Sequence, residues 1–230
     1  NGSFEYILKD LSTSFYYPFY EAKTQRLYFV ANFEEGYGGT DIYYVNTNNG
    51  QIMSSPVNLG PRINSPGNEI APYIFNNSLY FSSDVFYGLG GMDIYKSNIM
   101  DVDKFSIPIN LGRGINTTSD DFGFIIRNGA SGDFEGYFSS NRQGGKGKDD
   151  IYGFKVSGEP GLKTLALTGK VSNPNTGEGI EKVAVLVLGK DGKPIKEVYS
   201  DEDGQYRFEI PWRDHIVLEI QKERYGTFKK

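Results

Sequence analysis

YFVANFEEGYGGTDIYYV at residues 28–45, YFSSDVFYGLGGMDIYKS at 80–97 and YFSSNRQGGKGKDDIYGF at 137–154 are three copies of one pattern. Each opens with an aromatic strand, passes through a glycine-rich turn and leaves by an Asp-Ile-Tyr strand. The repeat anchors are Asp41, Asp93 and Asp150, followed two residues on by Tyr43, Tyr95 and Tyr152. They recur at intervals of roughly 50 to 60 residues, a period that points to β-propeller blades or a related radial array.

A second element keeps the same phase. VNLGPRINSPGNEIAPYI at residues 57–74 aligns without a gap on INLGRGINTTSDDFGFII at 109–126, so that Asn58/Asn110, Leu59/Leu111, Gly60/Gly112, Ile63/Ile115 and Asn64/Asn116 coincide. Duplication explains this better than chance likeness of two β-rich stretches. For the second copy the alternation predicts antiparallel strands at 69–75, 78–83, 92–97 and 105–111, one blade. The third copy has no fourth strand of its own, and residues 4–8 (FEYIL) are the candidate to supply it and close a ring. Closed propellers typically have about four to eight blades, so three visible repeats imply missing blades, lost residues or assembly of several copies.

Composition divides the 230 residues in two. Residues 1–157 carry 12 Lys plus Arg against 17 Asp plus Glu, whereas residues 158–230 carry 12 against 12. Most of the 17 Tyr and 16 Phe residues fall in the first segment, as aromatic-rich strands require. The SGEPGLK stretch at 157–163 has linker chemistry. After it, strands are expected at 165–171, 183–188, 195–200, 205–210 and 216–221, with turns at 175–177, 191–192 and 203–204. These make a small antiparallel β-sandwich.

Several function classes lose support here. The net charge of −5 and the absence of a Lys/Arg cluster argue against a nucleic-acid partner. There is no Cys, hence no disulfide or thiolate chemistry, and no apolar run of the roughly 20 residues a membrane helix needs. Asn1 is not Met and residues 228–230 read as the opening of a strand, so both ends look cut. A missing targeting segment therefore carries no weight.

Individual residues read as structural. Asp41, Asp93 and Asp150 open their strands where a carboxylate accepts turn amides, with calcium or ligand binding as the alternative. The turn glycines Gly36, Gly38 and Gly39, with Gly88, Gly90 and Gly91, are expected to serve positive φ. Gly144, Gly145 and Gly147 before Lys148 resemble a phosphate loop only superficially, because a strand and not a helix follows. His215 is the sole histidine, which excludes a His/Cys metal site and leaves a weak case for a triad. The pairs Asp120-Asp121 and Asp149-Asp150 point to opposite faces if they lie in strands. Residues 119–123 match the short core of a sialidase Asp-box without its Thr-Trp, and Asp201-Glu202-Asp203-Gly204 reads as a turn and not a calcium loop. No cofactor motif is found.

The L-Y-F then G-x-G-G-x-D-I-Y pattern, met as LYFVANFEEGYGGTDIY and LYFSSDVFYGLGGMDIY, resembles the PD40/TolB-type propeller repeat. LTGKVSNPNTGEGIEKVAVLVLGKDGK with YSDEDGQYRFEI resembles the carboxypeptidase regulatory-like domain, a transthyretin-like sandwich. Their succession is similar to OmpA-family envelope proteins of Bacteroidetes, among them components of the type IX secretion system. The resemblance implies an all-β chain, with propeller blades at 1–157 and the regulatory-like sandwich at 158–230. It implies a non-enzymatic periplasmic scaffold, associated with the outer membrane, that binds outer-membrane or secretion-machinery proteins. In such proteins a further domain, absent from this chain, holds peptidoglycan. The alternative is a propeller that binds, or hydrolyses, glycans or peptides through carboxylates in a central channel. A third reading makes the small sandwich a spacer.

Overall fold

The structure, a computed structural model, describes residues 8–10, 12–161, 164–211, 216–223 and 228–229, excepting the side chains of 164, 165, 211 and 228. It is all-β among those residues. The chain divides into two compact units, Asn1–Gly161 and Leu162–Lys230.

The first unit holds three antiparallel sheets of one design. In the first, β1 (Phe15–Glu21), β2 (Arg26–Ala31) and β3 (Asp41–Asn48) lie side by side, and β3 also pairs with the short β4 (Gln51–Ile52) and β5 (Val57–Asn58). In the second, β6 (Glu69–Phe75), β7 (Ser78–Ser83) and β8 (Asp93–Asp101) repeat the order, with β9 (Lys104–Phe105) and β10 (Ile109–Asn110) on β8. The third has β11 (Asp121–Asn128), β12 (Phe134–Ser140) and β13 (Asp150–Val156). Each first strand carries an irregularity after its second residue, and there Tyr17, Ala71 and Gly123 take positive φ (49°, 53° and 67°). Such a bulge bends the strand and increases its twist.

Apolar residues on alternating positions bind consecutive sheets face to face. One core joins Tyr28, Val30, Ile42 and Tyr44 of the first sheet to Leu79, Phe81 and Tyr95 of the second. A second joins Tyr80 and Ile94 to Phe124, Ile126 and Phe138 of the third. Full burial of side chains this size stabilises by about 1.5–3 kcal/mol each. Backbone bonds tie the same sheets at their turns. Gly39 N donates to Gly67 O (2.7 Å), Glu69 N to Thr40 O (2.8 Å) and Asp121 N to Met92 O (2.6 Å).

The expected fourth strand at 105–111 is broken into β9 and β10. Pro108 has no N–H for a ladder, and Ser106 turns the chain by accepting from Asn98 N through its hydroxyl (2.9 Å). The first sheet breaks likewise before Pro56, where Ser54 Oγ accepts from Asn46 N (2.9 Å). The segment 4–8 lies outside the described residues except Leu8, which packs on Phe29, Ala31, Tyr43 and Val45 of the first sheet.

The second unit pairs β14 (Thr164–Lys170) with β17 (Gln205–Pro211), and orders β15 (Ala184–Leu188), β16 (Pro194–Tyr199), β18 (Val217–Gln221) and β19 (Phe228–Lys229) as β16-β15-β18-β19. Val185 and Val187 of one sheet and Phe208 and Ile210 of the other share a single core. Asp201 closes a turn, accepting from Gln205 N (2.8 Å) and Asp203 N (3.1 Å). His215 lies outside the described residues.

Candidate interaction surface

The three anchoring aspartates hold the turns that precede them. Asp41 Oδ2 accepts from Tyr37 N (2.7 Å), Asp93 Oδ2 from Leu89 N and from Gly90 N (3.2 Å), and Asp150 Oδ2 from Lys146 N (2.8 Å) and Gly147 N (3.1 Å). Tyr43, Tyr95 and Tyr152 follow on the same face and pack on Phe29, Phe81 and Phe138.

Positive φ is not the reason for the turn glycines of the first two copies, because Gly36, Gly38, Gly39, Gly88, Gly90 and Gly91 all lie outside the left-handed region. Close approach is the reason. A Cβ on Gly88 would stand 2.0 Å from Asp93 Oδ2, and one on Gly145 2.0 Å from Asp150 Oδ2. Gly91 is tight against the next sheet instead, where a Cβ would meet Asp120 Oδ1 at 2.4 Å. The third copy has Lys148 at that position, and its turn bonds only to its own Asp150 among the described residues. The glycine is dispensable where no following sheet abuts the turn.

The face of the third sheet tells the same story. Tyr80 and Ile94 are fully buried, whereas their counterparts Tyr137 and Ile151 are 48% and 78% exposed. Ile125 on the neighbouring strand is 45% exposed. Register places these three side by side, since Tyr137 pairs with Ile125 on one side and Gly153 on the other, and Ile151 with Ser139. Charged pairs frame them: Arg127–Glu135 (2.8 Å) and Lys155–Asp133 (2.8 Å). The Lys155 partner holds the Asp133 carboxyl below its ordinary pKa. The edge of this sheet is also open, because β13 pairs only with β12 among the described strands.

Polar groups whose partners sequence reasoning did not identify tie the turns to the sheets. Glu69 accepts from Ser65 N (2.7 Å), Ser65 Oγ (2.6 Å) and Ser83 Oγ (2.6 Å) and is fully buried. Burial raises its pKa, against these bonds. At the matching position Asp121 accepts from Thr117 N (2.6 Å) and meets Arg142 (2.5 Å), whose guanidinium lies over Phe138 and Tyr152. Asn68 and Asp84 are bonded side chain to side chain (2.8 Å), and Asp120 and Asn141 form the same pair with residue types exchanged (2.8 Å). The fixed spacing of these residues was visible in the repeat, but their partners lie across turns.

Two concave sites of the first unit bring carboxylates and aromatic residues together. A cavity of about 810 Å³ between the first two sheets contains Arg26, Tyr28 and Asp103, with Arg26–Asp103 at 2.9 Å. Close by, the Tyr44 hydroxyl donates to Asp103 (2.9 Å) under Arg26, and burial foremost pushes its pKa up to about 12. A cavity of about 350 Å³ takes one residue from each first strand, Tyr17, Ile70 and Phe122, beside Asp84 and Asp120. Both carboxylates there are engaged: Asp84 by Asn68 N (2.8 Å) and side-chain amide, Asp120 by Met92 N (2.9 Å) and Asn141. Asp120 and Asp121 have separate partners, and among the described residues no group of three His, Asp or Glu is placed to hold a metal.

Compared by sequence with known protein families and with curated proteins, the chain matches none.

Proposed function

We propose that the first unit is a run of propeller-type blades serving as a non-enzymatic protein-docking scaffold. The observation that carries this reading is the third sheet: Tyr137 and Ile151, whose counterparts Tyr80 and Ile94 are core in the preceding repeat, are solvent-exposed beside a strand edge unpaired among the described strands. A contiguous apolar patch framed by charges is the usual make-up of a protein-binding surface. The rigid hydrogen-bonded turns support it, since a preorganised surface loses less entropy on binding. That Asp84 and Asp120, the carboxylates beside the converging first strands, are spent on backbone and asparagine amides favours docking over hydrolysis.

The resemblance of the repeat and of the second unit to envelope proteins supports a periplasmic, outer-membrane-associated setting. The partners are then outer-membrane or secretion-machinery proteins of the OmpA-family context, and the second unit is the regulatory-like sandwich. The test is affinity purification of the native full-length protein from envelope extracts, wild type beside Ile151→Ser. A partner recovered in stoichiometric amount with wild type and lost from the variant is the expected result. Recovery of the wild-type protein alone overturns the docking reading.

A further inference from the structure

We propose that the edge of β13, unpaired among the described strands, is an acceptor site for one short strand-and-turn segment of a partner protein, of the form apolar-Asn-Leu-Gly-x-x-Ile-Asn. This deepens the docking reading and rests on it. The first unit contains the same slot twice in the filled state.

Beside β3 the occupant is Val57–Asn58, with Asn58 opposite Tyr43. Leu59 N donates to Ile42 O (3.1 Å), and Leu59 enters the core. Asn64 then closes on the same peptide groups, its Oδ1 accepting from Ile42 N (2.9 Å) and its Nδ2 donating to Ile42 O (2.9 Å). Asn58 Oδ1 accepts from Gly60 N (2.8 Å) and Asn64 Nδ2 (2.7 Å), and Asn58 Nδ2 reaches Asp41 Oδ2 (2.7 Å). Gly60 allows the turn at φ 81°.

Beside β8 the backbone bracket recurs around Ile94, although Asn110 Nδ2 does not repeat the bond that Asn58 Nδ2 makes to Asp41. Leu111 N donates to Ile94 O (3.1 Å), and Asn116 takes Ile94 N (2.9 Å) and gives to Ile94 O (2.8 Å). Asn110 Oδ1 accepts from Gly112 N (2.8 Å) and Asn116 Nδ2 (2.8 Å), with Gly112 at φ 77°.

β13 carries the acceptor half of this pairing. Ile151 lies opposite Ser139 as Ile94 lies opposite Ser82 and Ile42 opposite Val30. Peptide groups alternate in direction along a strand, so this shared register aims the N–H and C=O of Ile151 at the open side. Asp150 stands where Asp41 receives the donor asparagine, and Tyr152 where Tyr43 faces it. Strand addition to a bare edge supplies backbone bonds for affinity and side-chain pockets for choice. Here the two asparagines and the glycine between them supply the choice.

The probe is a fluorescein-labelled peptide, IPINLGRGINT, the sequence of residues 107–117, titrated against the full chain by anisotropy, with hydrogen exchange read by NMR at the Ile151 amide. We expect saturable one-to-one binding, protection of Ile151 only on binding, and about tenfold or greater weakening when both asparagines of the peptide are alanine. Four results would each overturn the proposal: an Ile151 amide already protected in the free monomer, protection through self-association in sedimentation, altered exchange at Ile94 with none at Ile151, or an alanine peptide that binds equally well. Should the peptide fail while Ile151→Ser still loses its envelope partner, docking stands and only the donated strand falls.

Discussion

The second and third sheets have the same hairpin, yet the residues of one are interior and those of the other are surface. Asp93-Ile94-Tyr95 and Asp150-Ile151-Tyr152 hold their glycine turns through the same carboxylate bonds and pair with their second strands in the same register. Ile94 is sealed by the third sheet and bracketed by Asn116, whereas Ile151 has neither cover nor bracket among the described residues. The difference teaches that the hairpin is a self-sufficient local unit. What surrounds it converts the same side chains from core into contact surface.

The largest expected contrast tests this directly. Ile94→Ala removes a fully buried side chain and should cost about 2–5 kcal/mol, while Ile151→Ala should stay within about 0.5 kcal/mol. Urea unfolding of the two variants decides it, and equal losses would mean that Ile151 is covered in solution. Next, Asn116→Ala strips two bonds from the buried peptide groups of Ile94 and should cost about 2–3 kcal/mol, as should Asn64→Ala at Ile42. Destabilisation below about 0.5 kcal/mol would show that water replaces the amide.

The turns sharpen the comparison further. Gly91→Ala pushes a methyl against Asp120 of the next sheet and should cost about 1–3 kcal/mol, whereas Lys148→Ala at the matching place should be neutral by thermal melting. Smallest at ordinary pH is the alkaline response of the inter-sheet tyrosines. Burial first, and then Asp103 for Tyr44, raises the phenols of Tyr44 and Tyr95 to about 12, and Tyr80 further with help from Glu159. A phenol raised in the folded state stabilises fully below the unfolded value near 10 and ceases to as pH climbs through the folded value. Stability should thus be flat up to pH 10 and fall between about 10 and 12. A 295 nm titration in which all tyrosines ionise together near 10 without unfolding would contradict it.

Much of the first unit was legible because its repeats are strongly periodic. The strands at 69–75 and 78–83 coincide with β6 and β7, and β7 is buried on both faces. The fourth strand was misjudged because Pro108 acts on ladder bonds, and these depend on which neighbour is there to receive them. The glycines were found but given the wrong cause, since their contacts with Asp93 and Asp120 arise through a turn and across sheets. The roles of Glu69 and Arg142 went unrecognised, and Asp121 was weighed only as half of a carboxylate pair, because each is satisfied by a partner that only folding brings near.

By itself the sequence determined the local units: alternation chose strands, the Gly-rich segments chose turns, and the Asp-Ile-Tyr spacing matched each carboxylate to the amides of its own turn. These interactions span few residues, so composition and order suffice to specify them. Only the tertiary structure decided which copies of Tyr and Ile became core, because burial depends on the sheet that lies opposite. The Lys148 that replaces a glycine was in the sequence from the start, and the structure shows that no described sheet abuts it there.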